Sequence, residues 1–397
     1  MIIRIMSFLA LFILLGRDPA AADPNKWRAD AMAIPSIINT KYAYLDRLSA
    51  EKYTLSAKLA AEAEAVHDED SLLSFAERAL LLLHDHHAIT GSSFKNSWAV
   101  VPSYSDLTVA HDGTDYIVTD VRIDSPAYAA AIKRGMKLTA INGILMQRGI
   151  ADFWAELGIE TVTPDQAVFA VNILAAGRRD QLRRLAFDDQ LGTRHDVVLS
   201  SLYGSKPELP PVTAHSAVGG FYVIINNSLG DDATIAAFDK VMQSVKKDEP
   251  IHIDLSNTPS GGNTTVARAI MGWFVSKPTG YQIHRSPEEE RETSIPRQWI
   301  EQVLPRPGIM AHTGPVVVIV GAWTGSMGEG LAIGLKAIGA RVIGRPMAKL
   351  LGSVEDIRLP NTGLVIKLPT EKLYSVDGIL REDFIPEPLS VNIPGHK

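Results

Sequence analysis

The feature that most constrains this sequence is the alternation of short apolar strands with amphipathic helices from about residue 220 onward. Residues 220–226 read as a strand. Residues 232–246 read as a helix with Ile235, Phe238, Val241 and Val245 on one face. Residues 250–255 and 263–274 repeat the pair. Residues 315–320 form an unbroken apolar strand, followed by a helix over 327–338 and a short strand over 341–343. Parallel strands need a crossover between them and a helix is the usual one, so this rhythm predicts an α/β fold with a largely parallel sheet. Residues 355–359 and 364–368 flank Pro360-Asn361-Thr362-Gly363 and read as a closing β-hairpin.

The texture upstream is different. Residues 37–48 (just past Pro35), 55–67 and 72–83 carry apolar residues at helical spacing, with Asp70 an N-cap for the last. Residues 115–123 alternate as a strand does, and residues 124–132 and 133–143 follow as a short helix, a strand and a tight turn. This order resembles the core of a PDZ domain, with Ala131 and Met136 where that family usually has glycine and aspartate. Two helices follow at 151–157 and 164–176, the second capped by Thr163 ahead of Pro164, and 195–202 reads as a closing strand. The expected divisions are an export signal at 1–22, a helical region at 23–100, a PDZ-like domain at 101–205 and an α/β domain at 206–397.

The export signal rests on a basic start at Arg4, an apolar run over 7–16, and Ala20 and Ala22 at the spacing of a signal-peptidase site. The run is about half the length that spans a bilayer, and no later run reaches that length, so no permanent membrane span is expected after cleavage near Ala22. A formal net charge of −6 argues against a nucleic-acid partner. The absence of cysteine excludes disulfides, a thiol nucleophile and thiolate metal sites.

Chemistry concentrates in Thr324-Gly325-Ser326-Met327-Gly328-Glu329, between a buried strand and a helix. Side chains there project past the carboxyl end of the sheet, where open α/β folds place their sites. The Met327 amide at the helix start points at any negative charge that develops nearby. Ser326 taken alone reads better as a cap of the helix than as a nucleophile. A dinucleotide loop is a poor match, because the glycines run G-x-x-G-x-G and no acidic residue ends the next strand.

A second strand–glycine loop–helix, Asp254-Leu255-Ser256-Asn257-Thr258-Pro259-Ser260-Gly261-Gly262-Asn263, changes the weighting. Together the two loops resemble the C-terminal processing peptidases and the tricorn core peptidase, one serine-peptidase family with D-L-R-x-N-x-G-G and T-x-S-x-x-E motifs. Asn226-Asn227-Ser228 and Val376-Asp377-Gly378-Ile379-Leu380-Arg381-Glu382 extend the match. The resemblance implies a ClpP/crotonase-like β-α-β spiral, a Ser326 nucleophile and an oxyanion hole from the Gly261 and Met327 amides. With the export signal it points to an exported endopeptidase, for which no cofactor or metal is expected, acting on a polypeptide whose chain end the PDZ-like domain would bind. Ser256 stands where the family has arginine, and one extra residue precedes the glycine pair.

The family has two general bases. Tricorn-like members use a histidine in an L-x-x-x-H context, matched by Leu83-His84-Asp85-His86-His87, and a carboxylate matched by Glu382. Ala88 follows where a hydroxyl residue is common. Processing peptidases use a lysine, for which Lys349 lies slightly closer to Ser326 than is usual. The preferred triad is Ser326–His87–Glu382. The alternatives are a Ser326–Lys349 dyad, an inactive peptide-binding scaffold on the same fold, and hydrolysis of a small ester or amide.

Overall fold

The computed structural model describes residues 25–204 and 209–389. The expected export signal at 1–22 lies outside the described residues. The central sheet runs, edge to edge, Glu387–Pro388, Arg341–Gly344, Val316–Val320, Ile251–Asp254, Gly220–Ile225 and Val212–Ala217. Its first five strands are parallel, and only the last pairs antiparallel. The crossovers include Ala233–Met242, Thr264–Met271 and Met327–Ala337, whose apolar faces bury Phe238, Val266, Ile270 and Leu331 against Val223, Ile253 and Val318. Each such side chain contributes roughly 1.5–3 kcal/mol, enough together to hold the strands in register. Asp254 is level with Ile319, so the two glycine loops leave the sheet from the same end.

A second sheet runs Ile89–Thr90, Val365–Tyr374, Thr279–Arg285 and Gln298–Val303, with Ser353–Arg358 also paired to Val365–Tyr374. The sequence reading missed Thr279–Arg285 and Gln298–Val303. In the first, the inward positions Gln282 and His284 are polar yet only 2% and 6% exposed, so the apolar alternation that marks a strand is broken. This sheet fixes the chain just after His87 by pairing Ile89 and Thr90 with Lys367 and Ile366.

Three helices, Asn25–Lys41, Ala57–Ala65 and Glu69–Leu81, pack beside it. The first does not begin after Pro35 but runs through it, because Ala31, Ile34 and Ile38 bury one continuous stripe. The third is capped by Asp68 rather than Asp70: Asp68 Oδ1 accepts the Ser71 N–H at 2.8 Å and Ser71 Oγ accepts the Asp68 N–H at 3.0 Å.

The third sheet contains Leu107–His111, Tyr116–Val121, Lys137–Ile141, Arg183–Asp188 and Arg194–Leu199. Its helix Pro164–Ala176 is capped by Thr163 as expected, whereas Arg183–Asp188 was not anticipated. Arg183 Nη1 and Nη2 grip Asp106 at 2.7 and 3.0 Å, with both side chains essentially inaccessible. Removing one partner strands a buried charge at a cost of about 3–5 kcal/mol. Asp106→Ala is therefore expected to lower the melting temperature by roughly 10 °C in calorimetry, and an unchanged melting curve would refute that role.

Candidate active site

Past Val316–Val320 the chain forms a two-residue strand, Trp323–Thr324, parallel to Asn257–Thr258 from the other glycine loop. Buried Thr324 joins the loops, its Oγ1 donating to Leu255 O at 2.8 Å and accepting the Gly321 N–H at 3.0 Å. Trp323 Nε1 donates to Ser105 O and Arg122 Nε to Asn257 Oδ1, tying the third sheet's segment to the same pair.

Ser326 has φ 52°, in the left-handed region that costs a residue with a Cβ about 1–2 kcal/mol. An N-cap normally has β-region geometry, so this turn is not an ordinary cap. Glu329 holds it. Fully buried at the first turn of the helix, its Oε2 accepts the N–H of Ser326 at 2.9 Å and of Leu350 at 3.2 Å, and its Oε1 accepts the N–H of Lys349 at 2.9 Å. Burial pushes the Glu329 carboxyl up to about 7, against the opposing pull of Arg381 and these three amides.

The chain from helix Glu69–Leu81 delivers His87 to this turn. Asp85 Oδ1 accepts the His87 N–H at 2.8 Å and Asp85 Oδ2 accepts the Tyr42 hydroxyl at 2.9 Å. His87 Nε2 lies 3.0 Å from Ser326 Oγ, and Nδ1 lies 2.6 Å from the Leu351 carbonyl oxygen. Because a carbonyl can only accept, the neutral ring carries its proton on Nδ1 and offers the Nε2 lone pair to the serine hydroxyl. Burial, and then the Arg381 charge, depress the imidazole to about 3 against the pull of the Leu351 carbonyl.

Glu382 does not meet His87; the partner on Nδ1 is a main-chain oxygen. In the turn Arg381–Asp383 it is Arg381 that faces the site, its Nη2 donating to Leu350 O and Gly352 O at 2.8 Å each. The charge of the neighbouring Glu382 is felt at Tyr44, whose phenol is raised first by burial, and at Asp85. Glu382 Oε2 is buried without a hydrogen-bond partner. The Lys349 side chain is exposed, and only its amide reaches the site, through Glu329.

Gly261 has φ +64°, and a Cβ built on it would lie 2.5 Å from Ser326 Cβ, 2.8 Å from Ser326 Oγ and 3.0 Å from Met327 N. The Gly261 backbone, the serine hydroxyl and the Met327 amide therefore share one small space. Met327 N–H, at the first helical position, belongs to the amides that have no partner within a helix. The Gly261 N–H makes a long 3.3 Å turn bond to Thr258 O. Asn227 braces the loop, accepting the Ser260 N–H at 2.9 Å and donating to Ser260 Oγ at 3.0 Å.

Glu329, Asp85, Arg381 and the Leu351 carbonyl had no role assigned from sequence. The spacing of Glu329 from Ser326 is that of a capping box, a signal that was available. A main-chain carbonyl leaves no mark in a sequence. A cavity of about 530 Å³, lined by His86, Trp98, Phe153 and Phe169 among others, lies behind the histidine loop, and neither Ser326 nor His87 lines it.

Residues 222–383 match the family model described as peptidase family S41. Among solved structures, a photosystem II D1 C-terminal processing protease is 14% identical, with 91% of this chain and 93% of that chain covered and a TM-score of 0.55. Mature CPAF complexed with lactacystin is also 14% identical, with 92% and 93% covered and a TM-score of 0.53. At these identities the likeness establishes a shared mixed α/β fold. None of the curated proteins compared matches this chain.

Proposed function

We propose that this chain, whose residues 222–383 match the model of peptidase family S41, is a serine-type peptidase that hydrolyses peptide bonds through an acyl-enzyme on Ser326 with His87 as general base. The observation that carries the proposal is the 3.0 Å approach of His87 Nε2 to Ser326 Oγ. Ser326 Oγ attacks the scissile carbonyl carbon as its proton passes to Nε2. The resulting imidazolium keeps its Nδ1–H on the Leu351 carbonyl. The Met327 and Gly261 amides stabilise the oxyanion, and the close packing of Gly261 against Ser326 supports this role. His87 then protonates the leaving amine, and water, deprotonated by the same ring, releases the acyl group.

A fluorophosphonate probe is expected to label wild-type protein at one residue, identified as Ser326 by peptide mass spectrometry. Stoichiometric peptide binding without labelling or turnover would instead favour an inactive scaffold.

The finer architecture belongs to the same proposal. The parallel central sheet and its helical crossovers support a ClpP/crotonase-like spiral, and the third sheet with its helix Pro164–Ala176 supports a PDZ-like domain. In the binding mode expected of such a domain, a chain end adds to an edge strand. At the edge strand Leu107–His111, Asn172 Oδ1 accepts the Val109 N–H at 2.9 Å and Nδ2 donates to Val109 O at 2.8 Å, so a chain end added there must displace Asn172. No described helix is long and apolar enough to cross a membrane. Export with cleavage near Ala22 would be tested by the N-terminal sequence of protein recovered outside the cytoplasm.

A further inference from the structure

We propose that Arg381 is a positioning residue for the base: it holds the Leu351 carbonyl on His87 Nδ1, where serine triads commonly place a carboxylate. The inference rests on the reading of Ser326 and His87 as nucleophile and base. The segment 349–352 is gripped from two sides. Glu329 accepts the N–H groups of Lys349 and Leu350, and Arg381 Nη2 donates to the carbonyls of Leu350 and Gly352. With the carbonyls before and after it tied to one guanidinium nitrogen, the Leu351 carbonyl is left facing the imidazole at 2.6 Å. Arg381 is 2% exposed. A buried cation is expensive unless it is hydrogen-bonded and compensated, and the buried Glu329 carboxylate is a nearby opposite charge that it influences.

Charged and titratable groups approach His87 from several elements. Its own loop brings Asp85. The turn Arg381–Asp383 brings Arg381 inward and Glu382 toward Tyr44, and the helix Met327–Ala337 brings Glu329. The stretch after Asn25–Lys41 brings Tyr42 and Tyr44, and segment 349–352 presents its backbone, with the Lys349 side chain exposed. The partner on Nδ1 is thus neutral: it selects the tautomer without adding a negative charge, while the nearest cation resists protonation of the ring.

The test uses purified full-length protein and a fluorogenic peptide. Arg381→Gln is expected to lower kcat about 10- to 100-fold with KM within about twofold, because ring orientation matters after substrate is bound. Loss of the cation raises the affinity of both His87 and Glu329 for protons, so the acid limb of kcat/KM moves to higher pH by about one unit. Arg381→Lys keeps the charge but not the fork, and is expected to lose part of the kcat while its acid limb stays in place. Glu382→Gln is expected to stay within about threefold of wild type at every pH. A Glu382→Gln loss of about 10⁴-fold, the signature of a triad carboxylate replaced by its amide, would overturn the proposal even if neither Arg381 variant folds. So would an Arg381→Gln enzyme that melts earlier but keeps the wild-type kcat and pH profile. Activity that survives Ser326→Ala would instead refute the nucleophile itself, a different outcome from either of these.

Discussion

His87→Ala is expected to lower kcat/KM for peptide hydrolysis by about 10⁴-fold or more, while Lys349→Ala stays within about threefold of wild type. The asymmetry follows from geometry. The imidazole Nε2 is within hydrogen-bond reach of Ser326 Oγ, whereas the lysine side chain is exposed and only its backbone contributes. Because nucleophile and base act as a unit, the Ser326→Ala/His87→Ala double variant is expected to be no slower than either single one. A dead Lys349→Ala enzyme beside an active His87→Ala enzyme would reverse the assignment.

The pH profile of the same reaction carries its own sign. His87 is depressed to about 3, so the ring is already neutral, and available as base, well below the ordinary histidine range; no limb from His87 itself is expected near pH 6.5. Glu329 is raised to about 7, so it takes up a proton as pH falls through neutrality. Its grip on the Ser326, Lys349 and Leu350 amides then weakens. An acid limb near pH 7 that disappears in Glu329→Gln, at a lowered plateau, is the expected result.

Gly261→Ala is expected to lower kcat by about 10²- to 10³-fold, the size of the loss when one oxyanion donor is removed. The new methyl carbon has no room beside Ser326 Cβ and Oγ, and φ +64° adds about 1–2 kcal/mol of strain for any residue with a side chain. Both effects push the 258–262 loop away from Met327 N, the other proposed oxyanion donor. KM is expected to change much less than kcat, since the donors matter most once negative charge has developed. Wild-type kcat in a folded Gly261→Ala protein would show that this backbone does not line the oxyanion site.

Periodicity found the central sheet because its inward residues are apolar without interruption, as in Val316–Val320. It missed Thr279–Arg285, where Gln282 and His284 occupy buried positions on the strength of tertiary contacts, including a 2.7 Å bond from His284 Nδ1 to Glu371 Oε2. Pro35 shows the opposite case: a local helix breaker was overridden by the buried stripe of Ala31, Ile34 and Ile38.

At the site the division is similar. The strand–turn–helix that carries Ser326 was legible in the local pattern of the sequence, whereas the glycine pair opposite it and the histidine after the third N-terminal helix stood out through their resemblance to the motifs of a peptidase family. Which group answers His87 Nδ1 was decided only by tertiary structure. In the turn at 381–383 it is Arg381 that takes the Leu350 and Gly352 carbonyls, while Glu382 acts on Tyr44 and Asp85 and makes no bond to the ring. The acceptor that remains is the Leu351 carbonyl. Every residue carries such a group, and only the fold aims one of them.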